Sequence, residues 1–358
     1  MDTVKLLPLE KWLKYQCINN HQMFPAGRSD YFTRYQSIKS YLVTNVYGWI
    51  GAGTSAEDQG VYTDHSEEHF NSVIRYATKL INFDNKVSCP DSQELNLEPY
   101  EVYVMLVSIL LHDAGNIEGR NGHEKQPFKV FKGMGPAVCP DNFEGRIIAN
   151  IAMVHGGKVQ LDDDRTSKDT IGMQLKDEKT SIGGIDFRPK LIAALVRFAD
   201  EICEDRSRAA RYLINNNGLP KKSEVFHHYA NSISTVEVDI PSKSIHLKFE
   251  VSKTNILKRL GKDAGTAVDS VYLIDEINSR LEKMFCELIY CRTFMYELVD
   301  ITKVRATVQI YDDTDDHWPL IDSKVFELKQ QGYPPESFLF KDVHPDWNGE
   351  SVKSRLSN

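Results

Sequence analysis

The sequence lacks most of what would place it outside a reducing, aqueous compartment. Its six cysteines are scattered, with no CxxC pair, so no disulfide framework is expected. No apolar run reaches the roughly 18 residues of a membrane span, and nothing before Met23 reads as a basic, apolar, small-residue secretory signal. A cytoplasmic protein is the expectation, with no membrane partner. Basic excess is missing too. The formal net charge is −8, which disfavours broad contact with a phosphate backbone and gives no strong case for duplex nucleic acid. There is no internal repeat and no low-complexity tract.

What is present is ample apolar content, 41% of 358 residues, enough for a main core and an appendage. Residues 1–60 read as an N-terminal segment of two amphipathic helices, about Leu9 to Ile18 and Tyr31 to Trp49, followed by the loop GAGTSAEDQG. In TDHSEEHFNSVIRYATKLINF, His69, Val73, Tyr76 and Leu80 fall on one helical stripe. YEVYVMLVSILLHDAGN is apolar nearly all round, which predicts a buried helix ending at Gly115. NFEGRIIANIAMVHGG predicts a third helix of the core, and FRPKLIAALVRFADEICEDRSRAARYL a fourth. The polar stretch between His155 and Phe187 reads as a loop or lid. From residue 217 the period turns from helical to alternating: Val236, Val238, Ile240, then Ile245 to Val251, then Val304 to Ile310 after a long helix from about Val268 to Leu298. Residues 217–358 are therefore expected to be a small α+β appendage of three strands, with a mostly irregular tail from Asp312, on a mainly α body.

Several residues in that apolar body are expensive to bury. Adjacent helix residues differ by about 100° in direction, so His112 and Asp113, at the end of an apolar helix, can both reach one point beyond its last turn. Asp200 shares a face with Ala193, Val196 and Cys203, where an unpaired carboxylate costs several kcal/mol. Taken singly, each has an ordinary explanation: a satisfied core histidine, a cap, or an ion-pair partner for Arg197. Together they form an ordered set of His69 on one helix, His112 and Asp113 ending the next, His123 a short loop later, His155 ending a third, and Asp200 within a fourth. Imidazole and carboxylate donors suit a divalent ion such as Mn, Fe, Co, Ni, Zn or Mg. His227 and His228 precede a strand of the appendage and are not expected to join it.

The motifs TDHSEEHFNSV, LLHDAGN and RFADEICEDR resemble those of the HD superfamily of metal-dependent phosphohydrolases, with the resemblance covering about Tyr62 to Leu213. It implies an HD-domain helical core over residues 61–216. The implied metal ligands are His69, His112, Asp113 and Asp200, with His123 and His155 as catalytic groups if one ion is bound, or as ligands of a second if two are. His65, Asn116, Arg120 and Lys125 are candidate substrate-binding residues, and Arg206, Arg208 and Arg211 lie near the motifs. The favoured activity is that of a deoxynucleoside triphosphate triphosphohydrolase with one ion. The alternatives are a dinuclear phosphodiesterase or single-strand nuclease, and a catalytically quiet nucleotide-sensing scaffold. Asn116 departs from both enzyme subfamilies, where histidine or lysine is usual, and there is no GYP motif. The resemblance also implies a homo-oligomer.

Overall fold

The computed structural model describes residues 6–50, 66–83, 94–118, 126–161, 165–265, 267–330 and 340–357. Contacts gather these into two units, one of residues 6–50, 66–200 and 291–299, the other of residues 201–290 and 300–357. The chain is mainly α, and among the described residues no helix is long and apolar enough to cross a membrane.

The first unit is helical: α1 (Pro8–Asn19), α2 (Tyr31–Leu42), α3 (Glu67–Leu80), α4 (Pro99–Leu111), α5 (Asn142–Met153) and α6 (Pro189–Glu201). Every residue of α4 is buried, and α1, α2, α3 and α5 pack on it. This is the arrangement its all-round apolar sequence requires. Pro99 opens the helix, and Glu101 accepts from the Glu98 amide at 3.0 Å, satisfying a first-turn donor. The same carboxylate takes Nε (2.8 Å) and Nη2 (2.7 Å) of Arg188, so the starts of α4 and α6 are pinned together. Ser66 caps α3 and Asp141 caps α5.

A second polar knot joins α2, α4 and α5. Glu144 accepts from Arg34 (2.5 Å), Tyr31 (3.1 Å) and Tyr100 (2.8 Å), all four side chains being buried. The Arg34 guanidinium also lies 4.6 Å from the Tyr31 ring centre. A buried carboxylate is tolerable here because charge and hydrogen bonds are both supplied.

Two helical expectations and one loop expectation are corrected. The doublet helix ends at Leu111 rather than Gly115 and runs on as a 3₁₀ turn, Ala114–Glu118. The fourth core helix stops at Glu201, where Arg208 turns back onto the Cys203 carbonyl at 3.0 Å. Residues 156–186 are more than a loop. Val159–Gln160 pairs with Thr166–Ser167, Thr170–Gln174 is a short helix, and Thr180–Ile182 pairs with Ile185–Phe187 across Gly183 and Gly184, whose φ values of +53° and +82° suit the tight turn. Thr170, 1% exposed, anchors this insertion. It donates to the Val154 carbonyl (2.7 Å) and accepts from Arg197 Nη1 (2.8 Å).

The second unit holds α7 (Glu224–Ser232), α8 (Leu273–Met295, its last residues counted with the first unit), α9 (Gly349–Leu356) and a four-stranded sheet. Its strands are β1 (Ile233–Asp239), β2 (Ser244–Ser252), β3 (Lys303–Tyr311) and β4 (Leu320–Lys329), ordered β4-β3-β2-β1, with β2 and β3 parallel. The alternating residues Ile245, Leu247, Phe249 and Val251 are buried, as are Val304, Ala306, Val308 and Ile310. The expectation of three strands and an irregular tail is corrected by β4 and α9. The helix expected from Val268 begins at Leu273, because Val268–Tyr272 pairs with Arg259–Asp263 as a hairpin.

Candidate metal centre

Four helices of the first unit converge on one point. His69 lies in the first turn of α3, His112 and Asp113 follow the last residue of α4, His155 follows α5, and Asp200 is the penultimate residue of α6. Asp200 Oδ1 stands 3.4 Å from His69 Nε2 and 3.5 Å from His112 Nε2. Asp113 Oδ2 is 3.6 Å from His112 Nε2 and 4.0 Å from His69 Nε2, while its Oδ1 faces His155 Nε2 at 3.6 Å. Donor atoms of His69, His112 and Asp200 all lie within 4.8 Å of one another. Donors held about 2.1 Å from one ion stand about 3.0 Å apart along an octahedral edge and about 3.4 Å along a tetrahedral one. The spacings to Asp200 match that range.

The state of His112 is fixed by its own backbone. Its Nδ1 lies 2.7 Å from the Ile109 carbonyl, which can only accept, so Nδ1 carries a proton and Nε2 is the atom turned to the carboxylates. That Nε2 is fully buried and makes no hydrogen bond. A buried imidazole nitrogen in that condition, between two carboxylates, fits a metal ligand. His155 repeats the device, with Nδ1 2.7 Å from the Ala152 carbonyl.

The electrostatics agree. Burial opposes a charged His112, but the Asp113 and Asp200 carboxylates outweigh it and lift the imidazole to about 9. Burial likewise pushes Asp200 up, yet His112 and then His69 pull it well below the usual carboxylate range. The metal-free centre therefore holds a proton where a cation is favoured, and a divalent ion would displace it. The Asp113 side chain is 9% exposed and that of Asp200 27%.

Around this centre Phe70 sets its ring edge-on to both imidazoles, 5.4 Å from His69 and 5.2 Å from His112. Tyr47 stacks on Phe70 at 4.0 Å and donates to the Leu110 carbonyl at 2.7 Å. Neither was legible as a site residue, since aromatics at helical spacing read as core. Asn116 is 1% exposed; its backbone N–H donates to the Asp113 backbone carbonyl (3.0 Å), and its side-chain Oδ1 is buried with no hydrogen bond among the described residues. His65, Arg120, His123 and Lys125 lie outside the described residues. Arg206 donates to the Asn231 carbonyl (2.9 Å) and Arg208 to that of Cys203 (3.0 Å). His227 Nδ1 accepts from the Ala210 amide at 3.2 Å, a structural task.

The His69, His112 and Asp200 cluster of this mainly helical unit could hold a metal ion. The HD-CE family model matches residues 60–283, more than half of the chain, and the chain belongs to that family. No curated protein matches the chain, and no solved structure does.

Proposed function

We propose that this chain is a metal-dependent phosphohydrolase acting on a nucleotide, with deoxynucleoside triphosphates as the favoured substrates and triphosphate as the released product. The observation that carries the reading is the buried, unbonded His112 Nε2 facing Asp113 and Asp200, with His69 completing the donor set. His69, His112, Asp113 and Asp200 would hold a divalent ion, which when bound would supply Lewis-acid polarisation of a phosphoryl oxygen and a more acidic water. His155, its Nδ1 proton held by the Ala152 carbonyl, presents Nε2 for proton transfer, and Asp113 orients that ring. His123 shares this task in the proposal. Asn116 Oδ1, an acceptor in want of a donor, is suited to a substrate hydroxyl or amine. His65, Arg120 and Lys125 are proposed as further substrate contacts. The net charge of −8 favours a compact anion over a polymer. We place the protein in the cytoplasm as a homo-oligomer, and light scattering giving only a 40.9 kDa species would refute the latter.

Metal analysis combined with a panel of deoxynucleoside triphosphates, cyclic nucleotides and single-stranded oligonucleotides tests the proposal. Triphosphate release with one ion per chain supports it, whereas bound metal without turnover points to a quiet scaffold. A second reading, phosphodiester cleavage at a dinuclear centre, is favoured by one feature: the two Asp113 oxygens face different imidazoles, Oδ2 toward His112 and Oδ1 toward His155. In that case metal analysis finds two ions, one of them lost in His155→Ala. In the one-ion case His155→Ala slows turnover and leaves the stoichiometry unchanged.

A further inference from the structure

The doublet sits where a helix ends, and helix ends leave their last carbonyls without intrahelical partners. In α4 two consecutive carbonyls of the last turn receive side-chain donors: Ile109 from His112 Nδ1 (2.7 Å) and Leu110 from the Tyr47 hydroxyl (2.7 Å). Tyr47 reaches that position through a local break in helical period. After Leu42 the chain makes a π turn, Val43–Tyr47. In a straight α helix Tyr47, five residues after Leu42, would point about 140° away from it. The π turn returns it to the buried side, where it is 4% exposed, while Thr44 and Asn45 face solvent. The ring then lies nearly parallel to Phe70, at 11° and 4.0 Å, and Phe70 abuts both His69 and His112. Burial first, and then the Glu67 and Asp113 carboxylates, keep the Tyr47 hydroxyl protonated and so a donor.

We infer that Tyr47 is a positioning residue for the metal centre: its hydroxyl fixes the last turn of α4 through the Leu110 carbonyl, and its ring, through Phe70, fixes the two imidazoles. The N-terminal segment thereby becomes part of the site. This rests on the reading of His69, His112 and Asp200 as metal ligands. Groups that orient a ligand without touching the ion typically change metal affinity by about 10- to 100-fold.

The test compares Tyr47→Phe with Tyr35→Phe in the full chain. Tyr35 is an equally buried α2 tyrosine that donates to Glu10 Oε1 at 2.6 Å. Co²⁺ is titrated into metal-free protein, its dissociation constant and visible absorption bands are recorded, and urea unfolding without metal gives the stability of each variant. Expected is a loss of Co²⁺ affinity of about tenfold, with displaced bands, in Tyr47→Phe alone, while both variants lose stability without metal. Unchanged affinity and bands in Tyr47→Phe would overturn the inference, and so would an equal loss in Tyr35→Phe. If the unsubstituted protein binds no Co²⁺, the metal-centre reading itself falls; if it binds and Tyr47→Phe is indifferent, only this inference does.

Discussion

Replacing Asp200 by asparagine separates a metal ligand from an ordinary ion-pair partner. The substitution removes the charge of the carboxylate whose Oδ1 is 3.4 Å from His69 Nε2 and 3.5 Å from His112 Nε2, while keeping its size. An amide oxygen is a poor donor to a divalent ion in a histidine-carboxylate set. With metal at a hundred times its dissociation constant, the unsubstituted protein gains about 2.7 kcal/mol of stability by mass action. If affinity falls by about 100-fold, the variant sits at its own dissociation constant and gains only about 0.4 kcal/mol, a difference of about 2.3 kcal/mol. Urea unfolding with and without Mn²⁺ reads this directly, and turnover should vanish in parallel. The metal-free variant should itself be less stable, because two imidazoles lose the carboxylate they face. Were the metal-induced gain the same in both proteins, Asp200 would be a structural anion and the ligand set would be wrong.

Other consequences follow from the same geometry. Glu144→Gln strands the Arg34 guanidinium, 4% exposed, and should cost about 3–5 kcal/mol in urea unfolding; a loss under about 1 kcal/mol would show that the knot is not a buried ion pair. With His112 lifted to about 9, metal binding at neutral pH should release about one proton and tighten about tenfold per pH unit below that value; titrations in buffers of different ionisation enthalpy check this, and no proton release refutes it. Burial, then Lys258, lowers His228 from 6.5 to about 4. The unfolded chain binds the extra proton between those values, so stability should rise with pH across that window by about 3 kcal/mol. His228→Phe should flatten the rise, and an unchanged profile would assign it to other groups.

The parts of the fold legible in the sequence were those where burial leaves a period. The stripe from His69 to Leu80, the unbroken apolar run of α4 and the alternation in β2 and β3 each became the element they implied. What escaped had no such signature. The strand β4 carries Asp322, Lys324, Glu327 and Lys329 and buries only Phe326 and Leu328. The Val268–Tyr272 strand adjoins a long helical pattern that absorbs it by eye, and the small hairpins of the insertion are fixed by Thr170, Arg197 and paired glycines rather than by hydrophobic rhythm. The π turn is invisible to any fixed period. In the centre, the cost of burying them drew attention to His112, Asp113 and Asp200, while His69, His123 and His155 entered through the ordered set and its resemblance; of these, His69, His112 and Asp200 form a cluster that could hold a metal. Phe70 carries no such cost, and Tyr47 hides its one polar atom by donating to the Leu110 carbonyl, so at helical spacing both read as core.

The two histidines that end helices share one device. Both His112 and His155 direct Nδ1 at the carbonyl three residues back, so both present Nε2 to the centre, and both stand at a helix C-terminus, where a positive charge is favoured. What separates them is the surroundings of Nε2. That of His112 is completely buried between Asp113 Oδ2 and Asp200 Oδ1, an environment that could hold a cation. That of His155 lies 3.6 Å from Asp113 Oδ1, on a side chain that is 7% exposed. Two carboxylates and a second imidazole around one buried nitrogen suit a resident ion. Asp113, with one oxygen toward each ring, thus links the residue proposed to move protons to those proposed to hold the metal.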